Sequence, residues 1–292
     1  MAGFSPEWLA LREPADQAAR NRAVLDSCAR AFKDRDALVI CDMGAGTGAS
    51  VRALADLLPA RQDWILVDHD PRNLAGALTA LTAWADPERV PKKWEPVFHP
   101  DTRQDNNDGD QQIIYRGERR IGLRTLHQDF AADPAPWPAD TGLVTASALL
   151  DLPSHAWIDA FVLRLSERKL PALITLTVDG VMAAEPAHPL DEQVFDAFRK
   201  HQGGDKGFGP SAGADAALYL EQSLRNAGYK LESGDSPWII DQGAPDLLRE
   251  LLGGIAGAAR ETGLLAADQW LKDRLAATTR LIIGHRDVFA SL

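Results

Sequence analysis

The chain has 292 residues, with 31 Lys and Arg against 42 Asp and Glu, and a formal net charge of −11. That balance argues against a protein whose main work is gripping a phosphate backbone, because such binding draws on Lys and Arg displacing counterions. With 45% hydrophobic and 25% charged residues, the composition is that of an ordinary globular protein, long enough to bury a core without disulfide or metal staples.

In chain order, Pro14 to Phe32 has helical periodicity, with Val24, Leu25, Cys28 and Phe32 near one face. Residues 37–44 begin as a short apolar run of strand formers, Ala37 to Cys41, and read as a buried strand that ends in a glycine-rich turn. Residues 50–58 read as a helix, 64–68 as a second buried strand, and 74–84 as its following helix. Residues 85–112 are rich in Pro, Asp, Asn and Gln and have no period, which predicts a long insertion holding the acids Asp101, Asp105, Asp108 and Asp110. Short strand-like runs at 112–115 and 121–126 flank Arg116-Gly117-Glu118-Arg119 and predict a hairpin. Further strands are expected at 142–146, 170–178, 229–232, 238–240 and 279–285. Helices are expected at 154–168, with Ser154 as N-cap, and at 190–201, 214–227, 244–262 and 266–276. The glycine-rich segment 201–213, with Lys206 and Phe208, reads as a loop or a lid. The alternation predicts one α/β domain with a mostly parallel sheet, whose late strands form an antiparallel edge.

Cys28 and Cys41 stand outside any CxxC pair and read as small buried apolar residues. No basic-then-apolar leader is visible at the N-terminus. No run reaches the roughly 20 apolar residues that a membrane span needs. The expectation is a soluble, cytoplasmic protein with no membrane partner.

Chemistry concentrates in CDMGAGTGAS, residues 41–50, and ILVDHD, residues 65–70. Glycines directly after a buried strand let the backbone approach a ligand closely, since no Cβ intervenes. Asp68 ends the second strand 20 residues after Gly48, where a carboxylate can accept both hydroxyl hydrogens of a ribose. The turn also satisfies a loose dinucleotide pattern, so an NAD-dependent oxidoreductase is an alternative. Asp42, two residues before Gly44, favours a different ligand: a carboxylate there repels a pyrophosphate and attracts a cation. S-adenosylmethionine carries a sulfonium, an ammonium and a ribose, and no phosphate.

With these residues in view, the sequence resembles the class I S-adenosylmethionine-dependent methyltransferases over roughly residues 37–180. DMGAGTG is similar to their first motif and VDHD to their second. LHQDF, residues 126–130, is similar to the third, and residues 140–152 to the fourth. The resemblance implies a doubly wound, Rossmann-like, seven-stranded mostly parallel sheet with an antiparallel last strand and helices on both faces. It implies a single domain over residues 1–292, with an N-terminal helical segment at 1–35. An insertion at about 85–120 and acceptor-side additions at about 183–213 and 243–277 depart from the family pattern. It further implies a cofactor set of Asp42, Gly44, Ala45, Gly46, Gly48, Asp68, His69, Asp129, Phe130 and Ser147.

Asp151 and His155 are the candidate catalytic residues. Their spacing places them on one side if a helix starts early, and His155 has the pKa range to take a proton from an acceptor. No His, Cys, Asp or Glu cluster has metal-ligand spacing. The fourth-strand segment Ser147-Ala148-Leu149-Leu150 lacks an Asn/Asp-Pro-Pro-Tyr/Phe run, which lowers the expectation of a base or amide nitrogen as acceptor. The reading is methyl transfer to a small-molecule acceptor by direct displacement, with no nucleic-acid partner and with monomer and homodimer both open. A methyltransferase-like binding protein without turnover is a further alternative.

Overall fold

A computed structural model of the chain describes residues 4–86 and 111–292. Most of the expected insertion, with its four acids, lies outside the described residues. Apolar runs covered on both faces build the centre of the sheet: β1 (Ala37–Met43), β2 (Arg61–Asp68), β4 (Arg119–His127), β5 (Leu143–Ser147) and β6 (Ala172–Glu185). These five pair in parallel in the order β4-β2-β1-β5-β6. The predicted hairpin forms with β3 (Gln112–Arg116) antiparallel to β4 at one edge. At the other edge β9 (Arg280–Ser291) runs antiparallel between β6 and a pair of short strands, β7 (Lys230–Asp235) and β8 (Trp238–Asp241).

The described sheet therefore has nine strands, not the seven expected. The excess has two sources. β3 is an added hairpin arm. β7 and β8 lie along the same edge of β9, on Arg286–Ser291 and Arg280–Ile283 respectively, and are one edge strand interrupted at Ser236-Pro237. Pro237 has no N–H to give the ladder, and an edge is where a sheet tolerates that loss. The order otherwise matches a doubly wound, Rossmann-like fold with a reversed strand near its edge.

Alternate residues of β1 sort into two core layers. Leu38 and Ile40 face α2 (Arg22–Phe32), α3 (Ala49–Leu54) and α4 (Pro71–Trp84). Cys41 and Met43 face α5 (His155–Glu167) and α7 (Ala216–Asn226). Cys28 and Cys41 are free and buried, and burial pushes the Cys28 thiol up to about 12, so both act as small hydrophobes.

A third core stands beyond the carboxyl ends of the parallel strands. The outer halves of β6 and β9, together with β8, extend past the rim, and α6 (Asp191–Gln202), α8 (Pro245–Glu261) and α9 (Ala267–Ala277) pack on them around Trp238, Leu252 and Trp270. The two segments read as acceptor-side additions thus fold as one cap. No helix among the described residues is long and apolar enough to cross a membrane.

The single helix expected over 14–32 is two. α1 (Pro6–Ala19) starts earlier, with Ser5 as N-cap, and carries Pro14 on its exposed side. Arg20 leaves the helical conformation at ψ 131°, and the Asn21 side chain then caps α2 by accepting from the Val24 N–H. α1 lies across the rim, with Trp8, Leu11, Ala15 and Ala19 against the cap.

Asp287 on β9 fastens these pieces. It is fully buried, and it accepts from Leu176 N–H at 2.7 Å, Ser236 Oγ at 2.6 Å and Asn21 N–H at 2.8 Å. One carboxylate thus holds the α1–α2 junction, an irregularity in β6 and the break in the edge strand. Leu176 has a left-handed φ of +56°, costly for a bulky side chain, and its amide is among those held. Asp287→Ala leaves three donors without their acceptor and is expected to cost about 3–5 kcal/mol. Urea unfolding monitored by circular dichroism measures this; a loss below about 1 kcal/mol contradicts the fastening role.

Candidate functional site

The turn after β1 places Gly46 at φ +52° and Gly48 at φ +79°. A Cβ at Gly48 would stand 2.8 Å from Leu81 Cδ1, and one at Gly46 would stand 3.0 Å from Leu9 Cδ1. The left-handed φ favours glycine at both positions, and at Gly48 a Cβ would also press on the fully buried Leu81. The Ala45 N–H donates to Val67 O at 3.0 Å, tying the turn to β2. α3 has only six residues, so the turn itself, rather than a long helix N-terminus, defines the site.

Asp68 ends β2 against this turn and is 4% exposed. Its Oδ2 accepts from Gly46 N–H and its Oδ1 from Asp70 N–H, each at 2.9 Å. A carboxylate offers about four lone-pair directions, so each oxygen keeps one for a further donor. His69 Nδ1 lies 3.3 Å from Asp68 Oδ1, and the His69 carbonyl faces His127 Nε2 at 2.9 Å. Asp129 is exposed and its carboxylate accepts from Ala131 N–H, closing a turn beyond β4. Phe130 is buried in the α5-side core, and its carbonyl accepts from Trp157 Nε1. Its backbone borders the rim while its ring packs inward.

Asp42 is fully buried on the α2 side of β1. Its Oδ1 accepts from Thr145 Oγ1 at 2.6 Å, and its Oδ2 has no partner among the described residues. Burial pushes its carboxyl up to about 6, against the pull of Thr145, Ser50 and Arg20. Arg20, at the end of α1, donates to Thr175 Oγ1 at 2.6 Å and to Ser147 Oγ at 3.2 Å. Ser147 is thus brought into one network with the ends of β5 and β6. Ala148 follows with a left-handed φ of +51°.

Asp151 and His155 are not brought together. Ser154 caps α5, which begins at His155, so Asp151 belongs to the preceding turn and the two share no helical face. No hydrogen bond or ion pair links them among the described residues. The His155 ring instead lies on Tyr219, centroids 4.2 Å apart. Segment 201–213 is pinned onto the turn: Ser211 Oγ and Gly213 N–H both donate to the Asp151 carbonyl, and Ala212 N–H donates to Pro153 O. Although part of Asp151 meets solvent, its carboxyl sits deep among protein atoms, and that desolvation pushes it up to about 6.

Sequence reasoning missed the inner stripe of α1: Trp8, Arg12, Asp16 and Arg20, each four residues apart and so on one face. The spacing was the available signal, hidden because the helix was placed from Pro14 onward. Asp16 is buried and accepts from Trp238 Nε1 at 3.0 Å. Trp238 packs on His285, whose burial pushes its imidazole down to about 4. Among the described residues no group of three or more His, Cys, Asp or Glu could hold a metal ion.

No family model matches the chain. No curated protein matches it significantly. Among solved structures, it is similar to the YcgJ protein of Bacillus subtilis, at 9% identity over 93% of this chain and 98% of that one, TM-score 0.48. It is also similar to two S-adenosylmethionine-dependent methyltransferases solved with S-adenosylhomocysteine. The protein from Geobacter sulfurreducens is 12% identical over the whole of both chains, TM-score 0.47. The protein from Thiobacillus denitrificans is 11% identical over the whole of both chains, TM-score 0.45. Likeness this distant adds nothing to the fold, which the strand order establishes, and the site is read from its own residues.

The buried Asp42 carboxyl yields a test. A carboxyl whose folded-state pKa is raised above its ordinary 3.8 to about 6 costs nothing below pH 4. Its full cost applies above pH 6. Asp42→Asn is therefore expected to stabilise the ligand-free protein at pH 8 by about 1–3 kcal/mol, with the gain shrinking toward zero as pH falls to about 4. Chemical unfolding across that range checks it; an equal effect at both ends contradicts the burial of a charge-bearing Asp42.

Proposed function

We propose that the protein is an S-adenosylmethionine-dependent methyltransferase acting on a small-molecule acceptor in the cytoplasm. The observation that carries this reading is the coupling of the glycine turn to Asp68, Gly46 N–H to Asp68 Oδ2 at 2.9 Å, with Asp42 buried one strand away and one of its oxygens unpartnered. The turn's glycines hold left-handed φ values that leave its backbone free of side chains, and Asp68 has lone pairs left for ribose hydroxyls. Asp42 suits an ammonium. Arg20, bonded in this network only to neutral hydroxyls, suits a carboxylate. Together these residues fit a nucleoside that carries a zwitterionic amino-acid end and no phosphate.

When bound, S-adenosylmethionine supplies an electrophilic methyl group for direct displacement by an acceptor lone pair. The chain's own work is to hold the acceptor in line and to exclude water. Ser147, Ala148 and Asp151 border the rim where the acceptor would meet that methyl. Asp151, with a carboxyl pushed up to about 6, is suited to receive the proton that an acceptor hydroxyl or amine releases. His155, seated against Tyr219, is proposed to shape the rim rather than to pair with Asp151. Segment 201–213, fixed to the Asp151 turn, serves as a wall.

Calorimetric titration with S-adenosylhomocysteine tests the reading. Wild-type protein is expected to bind it, and Asp68→Asn and Asp68→Ala to weaken binding at least 30-fold, whereas NAD gives no heat. Absence of binding, or wild-type affinity in both variants, overturns the proposal. Binding of NAD alone favours an oxidoreductase.

A further inference from the structure

Nine buried polar side-chain atoms among the described residues have no hydrogen-bond partner. Three belong to α1: Trp8 Nε1, Arg12 Nε and Arg20 Nε. Two more, Asp42 Oδ2 and His285 Nδ1, belong to groups that feel the α1 arginines. Trp8 and Arg12 stand out, because they are one helical turn apart on the inward face of α1 and each is a donor only.

The Arg12 side chain makes no hydrogen bond among the described residues. It is 14% exposed, and its single ionic contact is Nε to Asp16 Oδ2 at 3.4 Å, outside hydrogen-bond geometry. Its guanidinium lies 5.9 Å from the Trp238 ring centroid and 6.0 Å from that of Phe4. Other well-covered arginines are matched. Arg52 grips Glu13 and the Thr47 carbonyl, and Arg274 grips Asp191 and the Pro186 carbonyl. An arginine held between rings with its fork unused is arranged for a planar oxyanion.

The position of this fork is informative. Arg12 lies on α1 between Trp238 of the cap and the stretch where Leu9 meets the Gly46 turn, and its charge is felt by Asp151 and His285. Arg20 is two turns away, in the Asp42 network, and is the arginine placed for the cofactor's own carboxylate. Arg12, whose one charged contact is the loose Asp16 pair, keeps its terminal nitrogens without a hydrogen-bonded anion among the described residues.

We infer that Trp8 and Arg12 form an oxyanion site for the acceptor, so that the acceptor is a small organic acid whose carboxylate docks on α1. This rests on the methyltransferase reading for its meaning but not for its test. The probes are benzoate and indole-3-acetate against their uncharged amides, benzamide and indole-3-acetamide. Each is titrated calorimetrically into wild-type protein with and without saturating S-adenosylhomocysteine.

At least one acid is expected to bind ten or more times tighter than its amide. Arg12→Gln is expected to erase that preference. Trp8→Phe, which keeps a ring and removes the N–H, is expected to reduce it by about threefold to fivefold. Both variants should bind S-adenosylhomocysteine within about threefold of wild type. Equal binding of acid and amide, or no saturable binding of either acid, overturns the site. A tenfold or greater loss of S-adenosylhomocysteine affinity in Arg12→Gln also overturns it, by assigning the arginine to the cofactor's carboxylate. Failure of wild type to bind S-adenosylhomocysteine, with the acid preference intact, sinks the methyltransferase reading and leaves the oxyanion site standing.

Discussion

A single buried carboxylate governs how this chain comes together. Asp287 accepts from three donors that belong to three distant stretches: the end of α1, the irregular middle of β6 and the interruption between β7 and β8. A buried carboxylate with fewer partners would carry a large desolvation penalty, so its presence commits all three segments to one arrangement. The left-handed Leu176 is tolerated because its amide is held there. The α1–α2 junction is held at the same point, and Arg20 beside it reaches Ser147 and Thr175. The rim of the sheet is thus organised by charge and hydrogen bonding, whereas the layers below it are organised by apolar packing.

Polar groups at this rim are costly, and that cost is itself informative. Asp42 and Asp151 both have carboxyls pushed up to about 6 by burial. Left-handed φ values at Ala148 and Leu176 end β5 and interrupt β6. Strain and desolvation thus gather at the carboxyl ends of the parallel strands. The α2-side and α5-side layers contain Leu, Ile, Val and Phe at the corresponding depth, which shows that the rim departs from ordinary core composition.

Much of this was legible in the residues. The apolar runs at β1 and β2, the glycines between β1 and α3, and Asp68 at its strand end are local patterns, and local patterns survive in a one-dimensional reading. The nine strands were not legible as nine. Splitting an edge strand at Ser236-Pro237 depends on which side of β9 that edge lies, a fact of tertiary pairing. Asp151 and His155 do not share a helical face because the Ser154 cap fixes the helix start at His155. The Phe130 ring turned out to be core, since alternation alone does not say which layer lies nearer the rim. Arg12 and Trp8 are hard to single out in the sequence because what they pack on is distant in it, Trp238 more than 200 positions on.

The long strands β6 and β9 have a mechanical consequence. They reach from the Rossmann-like core into the cap, paired with each other from Ala172–Ala290 to Glu185–Arg280 across two register shifts, at Ile174–Thr177 and at Val178–Met182. Ladder pairs stand on both sides of these shifts, Ile174–Val288, Thr177–Arg286 and Met182–Ile283, so the cap is carried by the same two strands that close the sheet. α1 is laid across the rim, tethered through Arg20 and Asn21 at one end and resting on Gly46 through Leu9 near the other. Glu13 also grips Arg52 of α3 and Asp16 holds Trp238 of the cap, so α1 is fastened to sheet, turn and cap at once, and the position of this helix and the shape of the turn beneath it are set together.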